Sequence, residues 1–158
     1  IFSSDFEAEK LGLNPSEVTE TSWIYTFRKE GEYFSSTPRS GKWLIFCPLS
    51  KIDQVWTKVK KATENGLLGS MSKVATAYEN PNAKNSNDRV ICVYTYDAED
   101  IKDVLRIRDT LKSLGISWKI PYKLDSATQA AKYAVNGKTK ISLYYEWAKL
   151  HTTVVTVD

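Results

Sequence analysis

The stretch Ser40-Gly41-Lys42-Trp43-Leu44-Ile45-Phe46-Cys47-Pro48 decides the fold. Leu44 to Cys47 is a continuous apolar run between Ser-Gly and Pro. Its short length and its aromatic and branched residues predict a buried strand. Lys42 is the awkward member. A lysine entering a buried strand either snorkels its ammonium to water or meets an anion. Trp43 points to the opposite side of the strand from Lys42 and is assigned to the core.

Working outward, Trp23-Ile24-Tyr25-Thr26-Phe27 is a strand candidate, and Asn14-Pro15-Ser16-Glu17 has the cap and proline of a short helix start. After the organising strand, Ser50-Lys51-Ile52-Asp53 reads as the opening of a helix by a capping box with Asp in place of Glu. Ile52, Val55, Trp56, Val59 and Ala62 follow helical spacing, and Asn65-Gly66 stops the helix. A strand over Gly69 to Tyr78 puts Lys73, Ala75 and Ala77 on one face, and Val74, Thr76 and Tyr78 on the other. Glu79 to Asp88 is a loop. Arg89 to Tyr96 lacks Pro and Gly and fits a central strand. Asp97 is placed as the cap of a helix with Ile101, Val104, Leu105, Leu111 and Leu114 inward, ended by Gly115. Ser117 to Ile120 reads as a short strand broken by Pro121, and Asp125 or Ser126 as the cap of a helix through Tyr133. A turn at Asn136-Gly137 and β-prone runs over 140–147 and 152–157 complete the chain. The helical segments are too few for a wound parallel sheet, so the fold class is α+β.

At 158 residues the chain holds one core, with an acidic N-terminal arm over 1–38, expected to be peripheral, and an α+β domain over 39–158. The charge is uneven. The arm has three basic and seven acidic side chains (3 − 7 = −4), and the remainder has 19 basic and 12 acidic (19 − 12 = +7). A basic body attracts phosphates or acidic partners. No apolar run approaches the ~20 residues of a membrane span. Residues 1–10 carry Asp5, Glu7 and Glu9 rather than the apolar centre of a signal peptide, so a cytoplasmic or nuclear protein is expected, not a secreted one. Cys47 and Cys92 sit in apolar runs and read as small core residues. With one histidine and two dispersed cysteines, no metal site is expected. Asp97, Asp100 and Asp103 read as a solvated helix start.

The ordered set Ser40-Gly41-Lys42-Trp43-Leu44, Trp56, Lys73-Val74, Val90 to Thr95, and Tyr122-Lys123 with Asp125, Thr128 and Tyr133 resembles the basophilic-leukaemia-expressed protein family over about residues 40–137. The resemblance implies the fold of the messenger-RNA cap-binding translation initiation factor, a curved, mostly antiparallel sheet with helices on its convex face. It also implies a comparison with bacterial phosphothreonine lyases.

These two comparisons make different demands. Holding a flat cationic base needs two aromatic planes about 7 Å apart and a carboxylate for the base edge. Tyr78-Glu79 matches the second aromatic and its acid, but the loop Pro48-Leu49-Ser50-Lys51 has no aromatic for the first. Phosphate elimination needs a base, an acid and cations. Lys42 and Lys73 match two of these roles and Tyr94 a third contact, but Leu44 stands where the acid is required and Tyr96 where a second phosphate lysine is required. His151 lies beyond the resemblance.

The expected function is therefore non-catalytic binding of a phosphorylated ligand on the concave sheet face, a nucleotide or single-stranded RNA. Lys42, Lys73, Arg89, Tyr94 and Lys123 would contact phosphate, Tyr78 and Tyr96 would stack, and Glu79 would take a base edge. No cofactor, metal or membrane is called for. A phosphorylated protein is a further candidate ligand. The alternatives are a phosphothreonine-lyase-like enzyme and a protein-interaction module.

Overall fold

The computed structural model describes residues 13–79 and 87–126. Five strands form one antiparallel sheet in the order β1-β3-β4-β2-β5: β1 Trp23–Phe27, β2 Gly41–Pro48, β3 Met71–Ala75, β4 Asp88–Thr95 and β5 Tyr122–Leu124. Two helices, α1 (Leu49–Glu64) and α2 (Ile101–Ser113), cover the convex face of this curved sheet. A 3-10 turn over Pro15–Glu17 precedes β1. The α+β class and the central placement of β4 agree with the sequence reading. The helix predicted from Asp125 or Ser126, the Asn136-Gly137 turn and the β-prone runs after it lie outside the described residues, as does most of the Glu79–Asp88 loop.

β2 is buried on one face only. Trp43, Ile45 and Cys47 join the core with Ile24, Val74, Ile91 and Val93, against Ile52, Trp56 and Val59 of α1. Leu44 is half-buried and Phe46 is 47% exposed. The unbroken apolar run suggested burial on both sides, but no described helix packs on the second face. Trp43 is fixed twice: its Nε1 donates to the Val104 carbonyl of α2 at 3.1 Å, and its ring meets Tyr122 edge-on at 5.2 Å.

Both helix starts differ from their predicted caps. α1 begins at Leu49 directly after Pro48, without a side-chain cap. Asp53 instead accepts from the backbone N and the hydroxyl of Ser16. The capping-box acid is spent on a distant turn, which a local pattern does not reveal. At α2 the cap is Asp100, which accepts from the Asp103 N–H at 3.2 Å. Asp97 is turned away to Arg39, whose Nε donates to it at 3.0 Å. Asp100 also takes the Tyr96 hydroxyl, and Asp103 takes Tyr33 and Arg106, so the acidic series is structural. Ser117 to Ile120 is not a strand; the pairing with β2 starts at Tyr122, past Pro121. Pro121 has no N–H to give a ladder, but its carbonyl accepts from Leu44 N at 3.0 Å.

The part of the acidic arm that the structure describes is built into the domain. β1 is an edge of the sheet, and Val18 and Ile24 belong to the core. Thr26 of β1 donates to Glu64 at 2.6 Å, Lys60 does so at 2.7 Å, and Lys29 lies 3.8 Å away. The boundary at residue 38 followed composition, whereas β1 is held by hydrogen-bonded pairing with β3.

Two predictions follow from this packing. A Cβ on Gly41 would sit 2.2 Å from the hydroxyl oxygen of the buried Tyr122 and 2.5 Å from the ring carbon that carries it. Gly41→Ala is expected to destabilise the fold by about 1–3 kcal/mol, read from urea denaturation; an unchanged midpoint would contradict the packing. The second concerns acid. Burial pushes the Glu64 carboxyl up, but hydrogen bonds from Lys60 and Thr26, and the nearby lysine charges, outweigh it and hold the group below the usual carboxylate range. At Asp97 burial is likewise outweighed, by Arg39 and the Glu99 N–H. A carboxyl whose folded value is depressed contributes stability above its unfolded value, near ~4.3 for Glu and ~3.9 for Asp, and loses it as pH falls through the folded value. Stability should therefore decline below about pH 4, and Glu64→Gln with Asp97→Asn should make that decline shallower while lowering stability at pH 7.

Candidate functional site

Register places the side chains of the concave face. Lys42 pairs with Tyr94 and Lys123, Leu44 with Cys92, and Cys92 with Lys73, which in turn pairs with Tyr25. Directly paired residues share a face, and residues two apart along a strand share it too. The concave face therefore carries Lys42, Lys73, Lys123 and Tyr94 together, with Cys92 between the lysines. Four of the five residues expected to meet phosphate thus lie on one surface.

The structure answers how Lys42 is accommodated. Its side chain is 18% exposed, and its ammonium forms an ion pair with Asp125. Asp125 also accepts from the Ser40 hydroxyl at 3.0 Å, and its N–H bonds the Ser40 carbonyl. The same ammonium lies 5.4 Å from the centre of the Tyr94 ring. Lys73 has no carboxylate partner among the described residues; its ammonium sits over Trp23, 3.9 Å from the ring centre, and 6.0 Å from that of Tyr25. Both lysines are held by the negative faces of aromatic rings. Lys123 is exposed. Burial raises the Cys92 thiol, and the charges of Lys73 and Lys42 counter only part of that, so the thiol is protonated and unreactive at neutral pH. Burial also pushes the Tyr94 hydroxyl up, which keeps it a hydrogen-bond donor.

Four expected site residues are not brought to this cluster. Arg89 shares the convex parity of Ile91 and Val93, is 7% exposed, and donates to the carbonyls of Thr76 and Ala77. It ties β4 to the chain leaving β3 rather than meeting a ligand. Tyr96 lies past the end of β4. Its ring packs against Phe34 at 4.6 Å and edge-on against Tyr33 at 5.6 Å, and its hydroxyl bonds Asp100, which raises it to about 12. Tyr78 and Glu79 are exposed, past the end of β3. β3 and β4 run antiparallel, so Tyr78 and Tyr96 leave the sheet at opposite ends. The Ile91–Thr95 run alone separates those ends by about 13 Å, so the two rings do not clasp one base.

Four residues of this face are not foreseen by the sequence reading: three rings and one counter-ion. Trp23, Tyr25 and Phe27 all face the concave side, and Phe27 is 50% exposed. The signal was present, since every second residue of Trp23 to Phe27 is aromatic, but alternation alone does not say which face is open. Asp125 escaped as a counter-ion because it was read as a helix cap. Leu44 pairs with Cys92 on the concave face, so the position that a lyase would fill with an acid is apolar. His151 lies outside the described residues. Among the described residues there is no metal-ligand cluster, and no helix is long and apolar enough to cross a membrane.

Solved structures with a similar fold include Ascaris suum eIF4E-3 in complex with an m7G cap (16% identical, TM-score 0.51, covering 78% of this chain and 74% of that one). Another is C. elegans eIF4E-3 with the 4E-binding protein Mextli and a cap analog (19% identical, TM-score 0.51, covering 87% and 79%). At these identities the likeness establishes the fold, that of the cap-binding initiation factors. A family model described as basophilic leukemia-expressed protein Bles03 matches residues 36–129, a span that contains β2 to β5 and both helices. That match covers more than half of the chain, and the protein belongs to the basophilic leukemia-expressed protein Bles03 family.

Proposed function

We propose that the concave face binds a phosphorylated ligand, a nucleotide or single-stranded RNA, without transforming it. The observation that carries the reading is the placement of Lys42, Lys73 and Lys123 on one face of three strands, with Lys42 and Lys73 each against an aromatic ring. Cations set among flat rings match the two halves of a nucleotide, its phosphate and its base. The fold neighbours support a nucleotide, since the Ascaris suum and C. elegans eIF4E-3 structures are complexes with a cap or its analog. Arg89, Tyr96, Tyr78 and Glu79 are left out of this site on their placement. Lys42, Lys73 and Lys123 hold the phosphates, and the Tyr94 hydroxyl adds a donor.

Binding of a fluorescein-labelled single-stranded RNA, followed by anisotropy, tests the reading. Lys42→Ala with Lys73→Ala should lower the slope of log K against log salt by about 1.4, since each phosphate contact on a single strand contributes about 0.7. No affinity, or an affinity indifferent to salt and to these substitutions, would sink it. Asp125 provides a second measurement, because it occupies Lys42 with a charge of the ligand's own sign. Asp125→Asn should tighten RNA binding several-fold; weaker binding would show that Asp125 positions Lys42 rather than competing for it.

A further inference from the structure

Resting on that reading, we infer that the alternating rings of β1, Trp23, Tyr25 and Phe27, are a stacking track for the neutral bases of single-stranded RNA, with its phosphates on Lys73, Lys42 and Lys123. The three rings stand on the concave side of an edge strand, at every second residue. They extend along β1 for about 13 Å, four residues of strand rise. The lysines extend across the sheet from β3 to β5, three strand spacings or about 14 Å. A surface of that reach exceeds one mononucleotide and fits several consecutive ones.

Ring geometry supports stacking. Tyr25 and Phe27 lie 10° from parallel with centres 6.5 Å apart. Nearly parallel rings at successive concave positions present faces of one orientation to consecutive bases. Side chains that stack bases work in sequence-tolerant fashion, because every base has a π-face. Phe27 is half-exposed on a strand that otherwise buries Ile24 and Thr26, so its ring is presented to solvent rather than used by the core.

Charge supports phosphate beside those rings and neutral bases upon them. The Lys73 ammonium already rests on Trp23, and the positive end of a cation–π pair excludes a second cation from that ring face. When a phosphate draws Lys73 toward it, the ring face is released to a base. The same three lysines disfavour a base that carries its own positive charge.

Anisotropy with labelled eight-nucleotide U and A strands tests this, with inorganic triphosphate as a competitor and thermal melts as the folding control. Phe27→Ala and Tyr25→Leu should each weaken RNA binding about tenfold. Neither should change competition by inorganic triphosphate, which reads the lysines alone. Eight-nucleotide strands should bind more tightly than a mononucleotide, and GTP at least as tightly as its N7-methylated form. RNA binding that depends on the lysines but not on the rings would overturn the track and leave the phosphate site standing. So would tighter binding of an RNA duplex, or of the methylated nucleotide. Absence of affinity for both RNA and nucleotides would overturn the track and the phosphate site together.

Discussion

The antiparallel register of β2 against β4 governs the rest of the structure. Eight consecutive pairs, Gly41 with Thr95 through Pro48 with Asp88, decide which side chains enter the core and which face the concave surface. A slip of β2 by one residue would turn that strand over, sending Lys42 into the core and Trp43 out of it while β4 kept Val93 inward. Two fixed points resist that slip. Trp43 is tied to the Val104 carbonyl, and Gly41 lies beneath the Tyr122 ring where no side chain fits. Tyr122 is itself anchored, its hydroxyl 2.7 Å from that of Thr95. The same contacts that bury the core therefore place the lysines.

Arginine and lysine are used differently in this chain. Arg108 is fully buried, donating to the carbonyls of Ile116 and Trp118 at 2.8 and 2.9 Å, with its guanidinium 5.9 Å from the Trp43 ring centre. Arg28 gathers the carbonyls of Leu68 and Gly69, Arg106 those of Leu67 and Leu68, and Arg89 those of Thr76 and Ala77. The planar fork of a guanidinium suits several fixed carbonyl oxygens at once. These residues close chain segments that lack sheet or helix partners. The ammonium groups of the concave face are single charges on flexible stems. The distinction explains why Arg89, placed by sequence among the phosphate ligands, is a strut.

Sequence periodicity revealed the elements well where burial follows a simple repeat. The Ile52-Trp56-Val59-Ala62 stripe, the breaks at Gly66 and Gly115, and the uninterrupted β4 are local consequences of local residues. The concave placement of Lys42, Lys73, Lys123 and Tyr94 was legible because strand alternation and the family resemblance agree on it. What was not legible depends on pairing between distant segments. Asp53 meets Ser16, and Asp125 pairs with Lys42 across 83 positions of sequence. Tyr78 and Tyr96 look like candidate partners in sequence, yet antiparallel β3 and β4 carry them off opposite ends of the sheet. Trp23, Tyr25 and Phe27 were visible as a strand, but only the pairing of Tyr25 with Lys73 shows that their rings look onto the lysines.

The Lys42–Asp125 pair settles how a lysine is accommodated on the concave face. Lys42 is 18% exposed and Asp125 26%, so water reaches both groups and the pair contributes only about 0–1 kcal/mol. A carboxylate held that weakly does not lock the ammonium. It does keep a partly buried cation from standing alone among Tyr94, Cys92 and Leu44, which would be unfavourable. A phosphate offers more charge and more acceptor oxygens than Asp125. On the proposed reading, Asp125 is the counter-ion that a ligand phosphate would replace at Lys42.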